Sequence, residues 1–347
     1  MAEEKSSARR RVPGARKIAM AAVGIGLSVA GVWWVFHDVD GDELVASAGR
    51  IRPLWLLGSI AVYWLGLVLL RAVLVRHLVA PVGALRLSQA YRYICIGFAA
   101  NNVLPLRAGE VARSAALARG ARVSFTSVVG SLAVERMLDL AMVALIGLAA
   151  IQVAPLPEAV RTAALASGGA LVVGFALLAV FARRRRARGD AAPAAKAEAG
   201  RPLWTGILGI WDRFSAGFGA FGTGRGIALS GAMAAGIWTL ALATMLLRLA
   251  AFDLEPSLPI VLVLLASLGF GVAVPSAPGY VGTYHAAAVF ALELFGVDHD
   301  TAAAYGLFSW IVDIGLSSLA GAVSLSVEGV ALADLRARSG AGGADRR

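Results

Sequence analysis

Apolar residues in this chain fall in long blocks that very few charges interrupt, as in the run from Ile18 to Phe36. A run of about 20 such residues is what a helix needs to cross a hydrocarbon core. In lipid every backbone polar group must be bonded within the protein, so blocks of this kind are read as helices. Composition agrees: 59% of residues are hydrophobic and 16% charged, with a mean hydropathy of +0.74. A soluble domain has about 45–50% apolar and about 25% charged residues. The expected fold class is an all-α polytopic membrane protein.

The formal net charge is +10. The basic residues lie between the apolar blocks, where Lys and Arg mark the cytoplasmic side. No basic stripe is interleaved with exposed aromatics, which argues against nucleic-acid binding. Cys95 is the only cysteine, and His37, His77, His285 and His299 are scattered without metal-ligand spacing. No metal or cofactor is expected. The N-terminal apolar run is longer than the roughly 7–15 residues of a signal-peptide core and is read as an uncleaved first span.

The charge pattern predicts about six full spans, near Lys17–Phe36, Pro53–Leu74, Ser124–Ile151, Val160–Ala182, Gly226–Ala250 and Thr301–Val327. Arg9, Arg10, Arg11, Arg16 and Lys17 place the N-terminus in the cytoplasm, and Arg336 and Arg338 do the same for the C-terminus. The acidic segment from His37 to Glu43 reads as an outside loop. The expected organisation is a tail (1–16), a first membrane half (17–182), a basic linker with an interfacial aromatic helix (183–225), a second half (226–330) and a tail (331–347).

Two apolar stretches break in the middle. The first, near 87–118, breaks at Asn101, Asn102 and Pro105; the second, near 258–296, breaks at Pro275, Pro278 and Gly279. A full crossing by the first would put Arg107, Arg113, Arg119 and Arg122 outside, so a re-entrant hairpin fits better. Pro ends a helix, while Gly109, Gly279 and Gly282 permit tight or left-handed turns. The breaks share a pattern: Pro105, Gly109 and Val111 match Pro275, Gly279 and Val281 in spacing. Each break is followed by a span with a carboxylate in its middle, Asp139 or Asp313. On the predicted topology the halves are inverted, a recurring transporter plan with broken helices near the midplane.

Charges inside the spans are the candidate functional residues. Counted from Ser124, Glu135 lies roughly 17 Å along its helix, near the middle of a core about 30 Å thick. Each unpaired charge there costs roughly 2.5–3.5 kcal/mol. Glu135 and Asp139 share a helix face, with Arg136 beside them. Arg107, Glu110 and Arg113 on the first hairpin are their natural partners. Two readings stay open: a clamp of hairpin to helix, or a polar cavity in which Arg107, Arg113 and Arg136 receive an anionic headgroup. Arg suits the second because its planar fork binds phosphate through two parallel bonds. Tyr280, Tyr284 and His285 are further ligand candidates. Asp313 stands among apolar neighbours and needs a partner or a proton. Asn101 and Asn102 are expected to satisfy backbone groups freed by the break.

The ordered segments Asn102-Val-Leu-Pro-Leu-Arg-Ala-Gly-Glu-Val-Ala-Arg113, Glu135-Arg-Met-Leu-Asp139 and Pro275-Ser-Ala-Pro-Gly-Tyr-Val-Gly-Thr-Tyr284 resemble the successive motifs of a known family. It is the lysylphosphatidylglycerol synthase transmembrane-region family, also called flippase-like domain proteins. The resemblance runs from about Ala15 to Arg338. It implies a lipid-translocating domain in the bacterial cell membrane. Bifunctional members also carry a soluble domain that transfers an amino acid from tRNA; only a short tail follows Val327 here, so that activity is expected to be absent. The leading expectation is therefore a lipid flippase that is not an enzyme, acting on an anionic, aminoacylated or other lipid-linked substrate. The alternatives are a non-transporting membrane partner of a lipid- or glycan-modifying enzyme, and a lipid-linked transferase. The partner reading predicts a charge cluster that is paired and sealed.

Overall fold

The computed structural model describes residues 26, 28–104, 108–153, 158, 161–162, 165–166, 168–169, 214, 216–273 and 277–329. These residues are helical with no strand among them. In chain order the helices are α1 (28–36), α2 (Gly41–Gly49), α3 (Pro53–Val79), α4 (Leu87–Val103) and α5 (Ala108–Ala121). Then follow α6 (Phe125–Val153), α7 (Gly224–Ala251), α8 (Leu258–Ala273), α9 (Thr283–Glu293) and α10 (His299–Val327). Short 3₁₀ segments precede α7 (Gly217–Gly222) and α9 (Pro278–Tyr280). By length and composition α3, α7 and α10 are apolar and long enough to cross a membrane, at 27, 28 and 29 residues. Most of the expected fourth span and of the expected interfacial helix lies outside the described residues, as do Pro105, Arg107 and Pro275.

Local chemistry sets the helix ends. Pro53 opens α3, where its missing N–H is no loss. Thr223 caps α7 by accepting from the Gly226 N–H at 3.0 Å, and Asp298 caps α10 by accepting from Thr301 at 2.9 Å. Asp40 caps α2 in the same way, at 2.9 Å from the Asp42 N–H. The acidic segment read as a loop therefore turns helical from Gly41, because a cap and two first-turn acids outweigh its polarity. Helix α3 also runs past its expected end at Leu74, to Val79. Its middle, Val62–Val68, is wound as a π-helix. This is a rare geometry that recurs at functional sites.

Each broken stretch folds back on itself, α4 on α5 and α8 on α9. Glycine allows the close approach. A methyl group at Gly109 would lie 2.2 Å from the Gly97 carbonyl oxygen, and one at Gly271 would lie 2.8 Å from that of Thr283. The packing pattern is unchanged when the two halves are exchanged. The first arm of each hairpin lies on the last long helix of the other half, α4 on α10 and α8 on α6. The second arm lies on the helix that follows it, α5 on α6 and α9 on α10. The first long helices, α3 and α7, pack on one another. Two hydrophobic cores result, one centred on α3 to α6 and one on α7 to α10, with Trp238 and Ala241 touching both. Phe218 and Phe221, expected as membrane anchors, pack against the first core.

Candidate functional site

Helix α6 presents Glu135 and Asp139 one turn apart, and three other helices send groups to meet them. Arg71 of α3 donates through Nη1 to Glu135 Oε1 at 2.9 Å and to Asp139 Oδ2 at 2.8 Å, while its Nη2 reaches Asp139 Oδ1 at 3.1 Å. Arg113 of α5 donates through Nη2 to Glu135 Oε2 at 2.8 Å. Trp238 of α7 donates its indole N–H to Asp139 Oδ1 at 3.2 Å. Arg136 stands further off, 3.5 Å from both Glu135 and Asp139 and 3.8 Å from Glu110. Glu135 is wholly buried and the Arg113 side chain is 3% exposed, whereas Arg136 and Glu110 are 44% and 38% exposed. The first cage is therefore a dry ion-pair core with one open edge.

A second cage lies between α7 and α10. Arg248 holds Asp313 through two parallel bonds, Nη1 to Oδ2 and Nη2 to Oδ1, each 2.8 Å. Tyr284 of α9 donates its hydroxyl to Asp313 Oδ2 at 3.2 Å. Arg248 is 1% exposed and Asp313 31%, so this pair too is open on the carboxylate side. Asp313 thus has the partner its apolar neighbourhood demanded. The cages share a plan, an Arg on the first long helix of a half bonded to a carboxylate on the last. The separations are 64 and 68 residues in the first half and 65 in the second. Tyr63, in the π segment of α3, lies within electrostatic reach of Arg71 in one cage and of Arg248 and Asp313 in the other.

The two breaks meet. A methyl group at Gly279 would stand 3.7 Å from the Asn102 carbonyl oxygen, and the Gly279 carbonyl accepts from the Trp310 indole N–H at 2.7 Å. Asn102 donates to Ser317 Oγ at 2.8 Å, to Ser318 Oγ at 2.9 Å and to the Ile314 carbonyl at 3.4 Å. It ties the first break to α10 instead of mending its own helix end. Asn101 packs against Gly109. Gly279 and Gly282 have left-handed φ of 72° and 81°, and so has Tyr280 at 59°. Pro278 opens the 3₁₀ turn. His285 accepts from the Gly282 N–H through Nδ1 at 3.2 Å and meets Phe36 edge-on and Trp310 at a tilt, so it closes the turn. Helix α1 seats on the same turn, with Ser28 Oγ accepting from the Ala277 N–H at 2.8 Å.

Of the side chains singled out from the sequence, Glu110, Arg113, Glu135, Arg136 and Asp139 meet in the first cage and Tyr284 and Asp313 in the second. Tyr280 and His285 belong to the second break instead. Sequence reasoning missed Arg71, Arg248 and Trp238. Arg71 stands near the expected end of its span, where an Arg reads as a topology marker, and Arg248 lies between Leu247 and Leu249 near the end of its own. Their signal was available: a basic residue with apolar neighbours on both sides inside a span is a functional candidate by default.

The chain matches the family model described as the lysylphosphatidylglycerol synthase TM region, over residues 21–321. No curated protein matches it.

Proposed function

The chain belongs to the lysylphosphatidylglycerol synthase TM region family, a multi-pass membrane protein with a lipid-related role, and from that premise we propose that it moves a phospholipid or lipid-linked substrate between leaflets. The observation that carries this reading is the open edge of the first cage. A clamp alone would be served by the buried contacts of Arg71 and Arg113 with Glu135 and Asp139. The Arg136–Glu110 pair adds long, half-exposed contacts that hold nothing tightly.

Formal charges in the cage balance: Arg71, Arg113 and Arg136 against Glu110, Glu135 and Asp139. An incoming phosphate must therefore displace a carboxylate from Arg136. Glu110, the most distant and most exposed partner, is the one that leaves. A headgroup carrying an ammonium would then take up Glu110, so that an aminoacylated or zwitterionic lipid replaces one ion pair with two. Arg136 binds the phosphate, Glu110 the cationic part, and the sealed core behind them fixes their positions. Asp313 and Tyr284 offer the next polar stop. The substrate is moved and not altered, so no covalent step is assigned.

In this reading α4–α5 and α8–α9 are re-entrant hairpins entering from opposite sides, six helices cross fully, and the halves form an inverted repeat. The protein sits in the bacterial inner membrane with both ends cytoplasmic. The alternative, a non-transporting partner of a lipid-modifying enzyme, would favour a sealed cluster, and the exposure of Arg136 weighs against it.

Leaflet-resolved translocation of labelled lipids in proteoliposomes tests the proposal. Wild-type protein is expected to move anionic or aminoacylated lipids, and Arg136→Gln to slow movement by about tenfold or more, the worth of one charge-assisted bond. Equal movement by wild type, Arg136→Gln and protein-free vesicles would overturn it.

A further inference from the structure

A cleft of about 620 Å³ opens where the start of α3 meets the end of α7, lined by Arg52, Trp55, Leu247, Asp253 and Glu255 among others. Leu246, Leu247 and Ala250 face it, while Arg248 between them turns away to Asp313. It is thus separate from both cages. The Arg52 N–H donates to the Ala251 carbonyl at 2.8 Å, which joins the two helix ends and fixes the mouth.

The mouth and the floor differ in chemistry. At the mouth Arg52 pairs with Asp253 at 2.5 Å. Glu255 is exposed and has no hydrogen-bond or ion-pair partner among the described residues. The floor is Trp55, Leu246, Leu247, Ala250 and Leu254. Nearby on α3, Leu54 and Leu57 are 79% and 62% exposed. The mouth stands at the ends of two long apolar helices, the level of lipid headgroups, where Trp is favoured.

We infer that this cleft binds a zwitterionic phospholipid with a primary-amine headgroup, of the phosphatidylethanolamine class. Arg52 takes the phosphate, Glu255 and Asp253 take the ammonium, and Trp55 and Leu247 cover the upper acyl chain. Charge selects this occupant. The mouth offers one guanidinium and two carboxylates. An anionic lipid would satisfy Arg52 and leave Glu255 facing a like charge. A quaternary ammonium would meet the charge of Glu255 but has no N–H to donate. The inference does not rest on the transport reading.

The test is native mass spectrometry of the full chain, stripped of lipid and titrated with phosphatidylethanolamine, phosphatidylcholine or phosphatidylglycerol of identical acyl chains. Phosphatidylethanolamine is expected to be retained most. Glu255→Gln is expected to weaken its retention about tenfold, one charge-assisted bond. Leu247→Trp, which fills the floor, is expected to weaken all three lipids. Should Leu247→Trp fail to fold, Glu255→Gln decides alone, since its side chain has no hydrogen-bond or ion-pair partner among the described residues. Phosphatidylcholine or phosphatidylglycerol retained as strongly, or phosphatidylethanolamine retained equally by wild type and Glu255→Gln, overturns the assignment.

Discussion

Glu135 has no exposed surface and meets three guanidinium groups within 3.5 Å. A carboxylate this dry keeps its charge only in company, which makes its partners unequal. Arg71→Ala strips one partner from Glu135 and the two-point partner from Asp139. Breaking a buried pair from one side costs about 3–5 kcal/mol. That loss should appear as a lowered denaturation midpoint in detergent, with Arg71→Lys recovering only part, because an ammonium cannot bridge two carboxylates as a planar fork does. Arg136 should behave oppositely. Its contacts are long and half-exposed, so Arg136→Gln should change stability by under about 1 kcal/mol while transport falls. Stability and transport thus separate clamp from site within a single cage. The sequence made Glu135, Asp139 and Arg113 legible because charges in an apolar helix demand partners. It hid Arg71 because one Arg near the expected end of a span is indistinguishable from a topology marker. The continuation of α3 to Val79 sets it well back from the helix end.

At the scale of the helices, the breaks depend on backbone approach more than on side-chain bonds. Gly109 lies against the Gly97 carbonyl and the Asn101 side chain, so Gly109→Ala must push α5 away from α4, and Arg113 with it. Overpacking of this kind costs about 1–3 kcal/mol. Limited proteolysis should find the first hairpin loosened, while the helices of the second half stay protected. Gly282 is more constrained, since a methyl group there would meet the Ser28 carbonyl oxygen at 2.1 Å and the residue has φ 81°. Gly282→Ala should therefore free α1 from the second break, read as faster hydrogen exchange over residues 28–36. The positions of both breaks were legible because Pro and Gly interrupt apolar runs where nothing else does. The π segment of α3 was not. Val62–Val68 contains no Pro, and such a segment forms where neighbouring helices pack, which no local propensity encodes.

For the whole molecule the exchange of arms matters most. Because α4 lies on α10 and α8 on α6, neither half can move without shifting the hairpin of the other, and the cages are carried along. The second cage is the better place to ask whether buried charge serves stability or movement, since it is a single pair. Arg248→Met alone leaves Asp313 with only the Tyr284 hydroxyl among the described residues and should destabilise the protein by about 3–5 kcal/mol. Adding Asp313→Leu removes the stranded carboxylate, and an apolar replacement of a whole buried pair is often neutral or stabilising. The double variant should therefore unfold close to the wild-type midpoint. If the pair is only a clamp, lipid movement recovers together with stability. If the headgroup passes Asp313 on its way between the cages, the double variant is stable and still slow, because the polar stop has been removed. Denaturation midpoints and translocation rates for the wild type, both single variants and the double variant form a complete cycle. Recovery of both quantities in the double variant would exclude the second cage from the path and leave the first as the headgroup site.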